Sequence, residues 1–200
     1  GNCIVDDEAC REASRNEIIR RYFKALCDHK IGKNVDSEIF KLELLLNQAG
    51  LAVGDRAVEK QAHAVAERTG GAPAAAIELP DGTVASSALL NALKKLAGID
   101  HEIDLVSARA IEPIQTLKTN YLGSRNPRLH TDEILIALSS SAAENETAAV
   151  ALQQLSKLKG CDMHSTVILS SVDTDTIKRL GMYLTCEPAY EQEDRKYHKK

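Results

Sequence analysis

The sequence predicts an α/β protein, in which an N-terminal helical subdomain precedes a small three-layer α/β domain with a mostly parallel sheet. Two observations support this fold class. Apolar side chains recur at helical spacing through residues 1–71, whereas short apolar runs alternate with helical patterns from residue 72 onward. Strands separated by helices pair in parallel and carry helices on the sheet faces. We therefore divide the chain into residues 1–71, residues 72–190 and a charged tail at 191–200 that we expect to be disordered.

Three helices are predicted in the helical subdomain. The first has a broad apolar face that includes Ile19 and Phe23, and it stops at Gly32. The second begins at Asp36 or Ser37, and a third begins near residue 55, because aspartate and serine satisfy free N–H groups at helix starts. Glycines at residues 50 and 70–71 end these two helices.

The second domain is predicted to contain four strands, at residues 74–79, 103–106, 166–171 and 182–186. Residues 80–82, Pro-Asp-Gly, make a turn after the first strand. Pro113 falls inside a helical pattern and should kink or shorten that helix. The helices between the strands begin at capping residues, namely Ser86 or Ser87, Ser107, Thr131, Asn145 and Asp173.

The composition excludes several functional classes. The chain has 200 residues, 44% of them hydrophobic and 27% charged, and its formal net charge is -4, so it lacks the basic footprint of a nucleic-acid-binding protein. No apolar run is long enough to span a membrane. The five cysteines are odd in number and form no C-x-x-C pair, which favours reduced thiols. We therefore expect a cytoplasmic protein without nucleic-acid or membrane partners.

Residues 160–166, Gly-Cys-Asp-Met-His-Ser-Thr, place a thiol, an imidazole and hydroxyls just before a predicted strand. Titratable groups at such a junction are candidates for catalysis. We take Cys161, His164 and Ser165 as candidate catalytic residues, although helix-end packing by Cys161 and a backbone hydrogen bond from His164 explain the pattern equally simply. We assign no metal site, because the C-x-x-H spacing supplies two ligands and would need a third from Asp162, His130 or Cys186.

A second polar segment precedes the helix predicted to begin at Thr131. Free N–H groups at a helix start attract anions, and arginine forks suit phosphate or carboxylate groups. The candidate anion-binding or ligand-binding residues here are Arg125, Asn126, Arg128 and His130. In the alternative interpretation these cationic groups pair with Asp132 and Glu133 in the same first turn.

Other titratable residues have simpler interpretations. The acidic group at residues 6–8, close to Cys3, is explained by helix capping rather than by binding of a divalent ion. His63 and His101 are interpreted as surface or turn residues rather than ligands.

Five blocks of sequence carry a resemblance to a known family: GNCIVDDE at 1–8, PDGT at 80–83, AGIDHEI at 97–103, RNPRLHTDE at 125–133 and GCDMHSTVILS at 160–170. In this order they resemble the C-terminal part of an uncharacterised bacterial family, domain of unknown function 1846. The resemblance implies a much longer protein, whose N-terminal part is α/β with a glycine-rich loop ending in Gly-Lys, suggestive of phosphate binding. Family members also carry a longer stretch after the Asp-Gly turn, where Val84 here runs directly into Ala85. That stretch is either deleted or left out of the sequence.

Two functional hypotheses follow from the sequence. In the first, the chain is the C-terminal portion of a cytosolic enzyme that binds a phosphorylated or nucleotide-like ligand, with both polar segments facing one cleft. In the second, the chain is a non-catalytic structural or oligomerisation module. The expected partners are the remainder of the full-length polypeptide, a phosphorylated small molecule, or a second copy of the chain. The sequence indicates no particular cofactor.

Overall fold

The computed structural model describes residues 7–54, 56–86, 89–124 and 128–191. These residues form two compact units, each made of separate stretches of the chain. Unit 1 comprises residues 7–54, 56–75, 164–168 and 184–191, and unit 2 comprises residues 76–86, 89–124, 128–163 and 169–183. The division at residue 71 stays a prediction, and residues 192–200 of the charged tail lie outside the described ranges.

Helices dominate the described chain. The three helices predicted before residue 71 are confirmed. A π-helical segment, Leu117–Tyr121, continues the helix that contains Pro113, and a 3₁₀ segment, Gln154–Leu158, follows the seventh helix. The α-helices are α1 Asp7–Lys30, α2 Asp36–Ala49, α3 Ala57–Arg68, α4 Leu89–Ala97, α5 Ala108–Thr116, α6 Thr131–Ala142, α7 Glu146–Gln153 and α8 Ser171–Arg179.

In unit 1, α1 packs against α2 through a small apolar core. Ile19 and Phe23 lie four residues apart on one face of α1, and they are buried together with Leu46 of α2. Gly50 ends α2 with a φ of 62°, a left-handed conformation that glycine adopts without steric cost. The third helix, α3, buries Val58 and Ala62 completely. The same helix carries His63.

One four-stranded sheet runs in the order β2-β1-β3-β4. Its strands are β1 Ala75–Glu78, β2 Val84–Ser86, β3 Asp162–Ser165 and β4 Tyr183–Cys186. β1 and β2 are antiparallel, with Ile77 opposite Ala85. β3 and β4 run in the same direction, because Tyr183 N donates to Cys161 O and Glu187 N donates to Ser165 O at matching intervals.

The predicted mostly parallel sheet is wrong, because the sheet is mixed. Residues 80–83 form a tight turn in which Asp81 accepts hydrogen bonds from Thr83, and a turn this short returns the chain as an antiparallel neighbour. The sequence prediction missed β2 because its last residue, Ser86, was interpreted as a helix cap. The three-layer arrangement stays a prediction.

Two predicted strands also lie elsewhere. Residues 103–106 form bends and irregular backbone rather than a strand, and Leu105 is buried there. The strand expected at residues 166–171 lies at residues 162–165 instead, so His164 is part of a strand rather than of the preceding loop. The apolar run thus correctly predicted that Leu105 is buried, but a buried apolar residue need not lie in a strand.

In unit 2, α6 lies at the centre of the helices and contacts α5, α7 and α8. Leu138 on α6 and Leu93 on α4 are completely buried. Pro113 lies inside α5, which runs on to Thr116 and passes directly into the π-helical segment at Leu117, so the expectation that Pro113 kinks or shortens the helix stays a prediction. Unit 2 thus holds the start of α6, where the candidate anion-binding residues lie.

Candidate functional site

Unit 1 brings three titratable side chains together. They are His63 on α3, His164 on β3 and Glu187 just after β4, and we call them the His63–His164–Glu187 cluster. Nε2 of His63 lies 2.6 Å from Glu187 Oε1, and Nε2 of His164 lies 3.5 Å from the same oxygen. Since β3 and β4 are parallel neighbours, the carboxyl end of β4 brings Glu187 close to His164.

His164 is completely buried, with a relative exposure of 0%. Its Nδ1 lies 2.9 Å from Thr185 Oγ1, and its ring centroid lies 5.0 Å from that of Phe23. Its Nε2 makes no hydrogen bond to any residue within the described parts of the chain. A buried polar nitrogen in this state costs free energy, so its retention calls for a physical reason.

A buried ion pair supports His164 from the Nδ1 side. Arg56 contacts Glu59, whose relative exposure is 1%, and Glu59 also accepts a hydrogen bond from the Gly54 backbone. Nη2 of Arg56 donates to Thr185 Oγ1 at 2.8 Å. Through Thr185, this network fixes the position of the His164 ring.

The cluster has a solvent-facing side. The His63 side chain is 49% exposed and the Glu187 side chain is 27% exposed, whereas His164 is enclosed. The His164 imidazole lowers the pKa of Glu187 below its ordinary value, burial opposes this shift, and His63 adds to it. Glu187 is therefore a carboxylate at neutral pH and carries a negative charge beside the two imidazoles.

The three predicted catalytic residues are placed differently from one another. Cys161 lies in unit 2 and is buried, and its Sγ contacts Lys157 O at 3.5 Å. Burial, and secondarily the charge of Asp162, raises the pKa of the Cys161 thiol, which is opposite to the change that activates a nucleophile. Its catalytic role stays a prediction.

Ser165 lies in unit 1, next to His164 on β3. Successive strand residues point to opposite faces, so the two side chains diverge. The Ser165 hydroxyl donates to Val167 O at 2.8 Å and also accepts from Val167 N. Of the three predicted residues, His164 alone belongs to the cluster, and the role of Ser165 stays a prediction.

The predicted anion-binding segment is described in part. Arg125 and Asn126 lie outside the described residues. Arg128 is exposed, and its carbonyl oxygen accepts a hydrogen bond from Lys118 Nζ at 2.6 Å. The His130 backbone N–H donates to Glu133 Oε2 at 2.7 Å. The same Glu133 oxygen lies 2.7 Å from Lys118 Nζ, which is buried, so the segment is tied together by internal ionic contacts.

Asp173, at the start of α8, contacts the first residues of α6. Its Oδ1 accepts hydrogen bonds from the backbone N–H and the hydroxyl of Thr131, both at 2.7 Å, and its Oδ2 lies 3.0 Å from His130 Nδ1. Burial raises the pKa of Asp173, but hydrogen bonds from Ser170, His130 and Thr131 outweigh burial and hold the pKa at about 2. An external anion at these donors would compete with a carboxylate, and anion binding here stays a prediction.

The remaining titratable residues fit simpler interpretations. Asp7 and Glu8 lie in the first turn of α1, where negative charge stabilises the helix, and Cys3 and Asp6 lie outside the described residues. The His101 side chain is 89% exposed and lies 3.1 Å from Asp100. The described cysteines are all free thiols.

Sequence analysis missed His63 and Glu187 as site residues. Neither belongs to a local motif: His63 is interpreted as a surface residue, and Glu187 follows a strand without a recognisable pattern of site residues around it. One signal was present, because Glu187 follows the carboxyl end of a predicted strand, where α/β sheets place ligand-binding residues. His63 depends on how α3 packs and has no such signal.

Two family models match the chain. The model described as "Domain of unknown function DUF1846, C-terminal" matches residues 54–196, and the model described as "Domain of unknown function DUF1846, N-terminal" matches residues 1–50. This chain belongs to the DUF1846 family. The match to the N-terminal model corrects the expectation that the chain corresponds to the C-terminal part alone, because α1 and α2 fall within the N-terminal family domain.

Bacterial members of the family are similar over nearly the whole chain. A "UPF0371 protein" of Corynebacterium glutamicum is 51% identical over 96% of this chain and 41% of the relative. "UPF0371 protein DIP2346" of Corynebacterium diphtheriae is 50% identical over 100% and 42%, and a "UPF0371 protein" of Streptococcus pneumoniae is 46% identical over the same shares. The chain thus spans about two-fifths of the length of these relatives. None of the helices among the described residues is long and apolar enough to cross a membrane.

Proposed function

We propose that this chain is part of a bacterial cytosolic enzyme that binds a phosphorylated or nucleotide-like ligand, with the His63–His164–Glu187 cluster at its reaction centre. The observation that carries the proposal is His164, a completely buried imidazole whose Nε2 makes no hydrogen bond to a described residue. Proteins satisfy almost all buried polar groups, and exceptions concentrate where a ligand or a reaction uses them.

The surroundings of His164 support a functional role. Arg56, Glu59 and Thr185 form a hydrogen-bonded network on the Nδ1 side of His164, and a buried network of this kind holds the ring in one orientation. His63 and Glu187 connect the buried ring to a solvent-exposed side. A buried, positioned group next to an accessible one is the usual arrangement of a reaction centre.

The ligand class rests on charge. Arg125 and Arg128 lie three residues apart in the sequence, and the planar guanidinium group of arginine suits the oxygens of a phosphate. The glycine-rich Gly-Lys loop that the family resemblance implies for the remainder of the polypeptide would add a second phosphate-binding element. Both considerations favour a phosphorylated ligand over a neutral one.

The test is a thermal-shift screen of the protein against nucleotides and sugar phosphates, followed by ³¹P NMR of each stabilising ligand. We expect at least one ligand to raise the Tm by about 4 °C at a concentration well above its Kd. The ligand should then be converted by the wild-type protein and by the His101→Ala control, but not by His63→Ala. The proposal would be contradicted if no ligand stabilised the protein, or if His63→Ala converted the ligand as fast as the wild-type protein does.

A second candidate is the non-catalytic assembly module. It is favoured by α2, which exposes Phe40 by 61% and Leu44 by 46% on one helical face, since these residues lie four apart. The helix falls within residues 1–50, the part of this chain that matches the N-terminal family model. In this proposal the face packs against the remainder of the polypeptide or against a second copy.

Light scattering tests this candidate. If the face mediates self-association, the wild-type protein should be larger than a monomer, and Phe40→Asp should release the monomer while Lys41→Asp, its neighbour in sequence, should not. A wild-type monomer at all accessible concentrations would argue against association between copies.

A further inference from the structure

We propose that the His63–His164–Glu187 cluster is a binding site for a divalent transition-metal ion of the zinc class. The inference rests on the proposed function, because it names the cofactor of the same reaction centre. Its support comes from the chemical types of the three side chains, their distances, and the hydrogen bonding of His164.

The donor set fits such an ion. Two imidazole nitrogens and one carboxylate oxygen are preferred ligands of zinc and of related divalent transition metals, whereas calcium and magnesium prefer oxygen ligands alone. The three candidate ligand atoms of His63, His164 and Glu187 all lie within 4.8 Å of one another. Three protein ligands leave a fourth coordination position for water or substrate, as in catalytic zinc sites.

The distances are close to those that coordination requires. Ligand atoms at about 2.0–2.1 Å from a tetrahedral ion lie about 3.3 Å from one another. The 3.5 Å between His164 Nε2 and Glu187 Oε1 already matches this spacing. The 2.6 Å contact between His63 Nε2 and Glu187 Oε1 would open by about 0.7 Å on binding. His63 is half-exposed on α3, so its side chain has room for this small movement.

His164 provides an independent observation that points to a ligand. Its side chain is completely buried, and its Nε2 lacks a hydrogen-bond partner among the described residues while it faces the carboxylate of Glu187. Metal coordination through the Nε2 lone pair would satisfy this nitrogen. Without such a ligand, the loss of hydration at this buried nitrogen is not compensated by any hydrogen bond to a described residue and destabilises the fold.

The Nδ1 side of His164 has the form that metal-binding histidines need. Such histidines donate the other ring N–H to an acceptor, which orients the ring. Thr185 Oγ1 lies 2.9 Å from Nδ1 and accepts a hydrogen bond from Arg56, and the second lone pair of the hydroxyl oxygen can accept from an Nδ1–H. With the proton on Nδ1, the lone pair of Nε2 faces Glu187.

The local charge also favours a cation. Arg56 is the nearest positive group of the network, and its charge is balanced by Glu59, with which it forms the buried pair. Glu187 then contributes a net negative charge at the cluster. A cation entering there would be attracted by Glu187 rather than repelled by Arg56.

Isothermal titration of the metal-stripped, tag-free protein with ZnCl₂ tests the site. We expect one zinc ion per chain with a Kd on the order of 1 µM or tighter, and a loss of about 100-fold or more in affinity in His63→Ala and in Glu187→Gln. His101→Ala, which removes an exposed histidine in unit 2, is the matched control and should bind as the wild type does. Both test variants change partly exposed residues, and circular dichroism of each variant checks that it is folded.

Equal, weak zinc binding by the wild type and both variants would overturn the metal inference. The thermal-shift screen, repeated with and without EDTA, separates this failure from that of the proposed function. If a phosphorylated ligand is still converted in the presence of EDTA, the proposed reaction centre stands and the metal inference fails. If zinc binds tightly and depends on His63, but no phosphorylated compound stabilises the protein, the metal site stands and the proposed ligand class is contradicted.

Discussion

Replacing Asp173 with asparagine tests the ionic contact at the start of α6. Burial raises the pKa of Asp173, but hydrogen bonds from Ser170, His130 and Thr131 to its carboxylate outweigh burial and hold the pKa at about 2, below the ordinary value of an aspartic acid. Lowering the pKa of a carboxyl group from its ordinary value to about 2 corresponds to about 2 kcal/mol of folding stability. The Asp173 side chain is 18% exposed, so solvent screens little of this interaction.

The sign of the pH dependence follows from the lowered pKa. Because the folded state favours the ionised carboxylate, the stabilisation is complete above pH 4 and is lost as the pH falls from about 4 to about 2. Asp173→Asn should therefore lower the free energy of unfolding by about 2 kcal/mol at pH 7, and the difference from wild type should shrink below pH 4.

Urea denaturation at a series of pH values measures this difference. Asp100→Asn is the control, because the Asp100 side chain is 63% exposed and its pairing with His101 lies at the surface, where we expect an effect under about 0.5 kcal/mol. An Asp173→Asn penalty that matched this control, or that stayed constant down to pH 3, would refute the argument that the α6 N-terminus is neutralised by Asp173.

Three further predictions concern other parts of the molecule. Thr185→Val should weaken zinc binding in a calorimetric titration by about 10-fold to 100-fold, because it removes the oxygen next to His164 Nδ1, and Thr185→Ser should restore it. Cys161 should be alkylated by iodoacetamide at least about tenfold more slowly than exposed Cys10 in peptide mass mapping, because burial shields the thiol and raises its pKa. Gly181→Ala should lower the Tm and destabilise unit 2 by about 1–2 kcal/mol, since φ is 80° there and a Cβ would lie 2.9 Å from a side-chain carbon of Lys159.

The helical part of the fold was predictable because its signals are local. A periodic apolar face marks α1, and Gly50 ends α2 as predicted. The predicted capping residues of α2 and α3 are wrong, because the N-cap residues are Val35 and Arg56 and neither side chain makes a capping hydrogen bond. The sheet was harder to predict. Alternation of helices and strands indicated parallel pairing, but the short turn at residues 80–83 makes β1 and β2 antiparallel, and the buried Leu105 resembled a strand residue without being one.

The site shows a similar contrast. His164 stood out in the sequence because it belongs to a cluster of polar residues near a buried strand. Its partners His63 and Glu187 come from distant positions, and only the packing of α3 and the pairing of β3 with β4 bring them within a few ångströms. Cys161, which is close to His164 in sequence, belongs to unit 2 and has its own contact with Lys157. Sequence proximity was therefore a poor guide to the composition of the cluster.

X-ray absorption at the zinc edge of the zinc-loaded protein tests the central claim most directly. The His63–His164–Glu187 cluster predicts a shell of nitrogen and oxygen ligands at about 2.0–2.1 Å with the scattering pattern of two imidazoles, and loss of one imidazole in His63→Ala. A shell of six oxygens, a sulfur ligand at about 2.3 Å, or a spectrum unchanged in His63→Ala would contradict it.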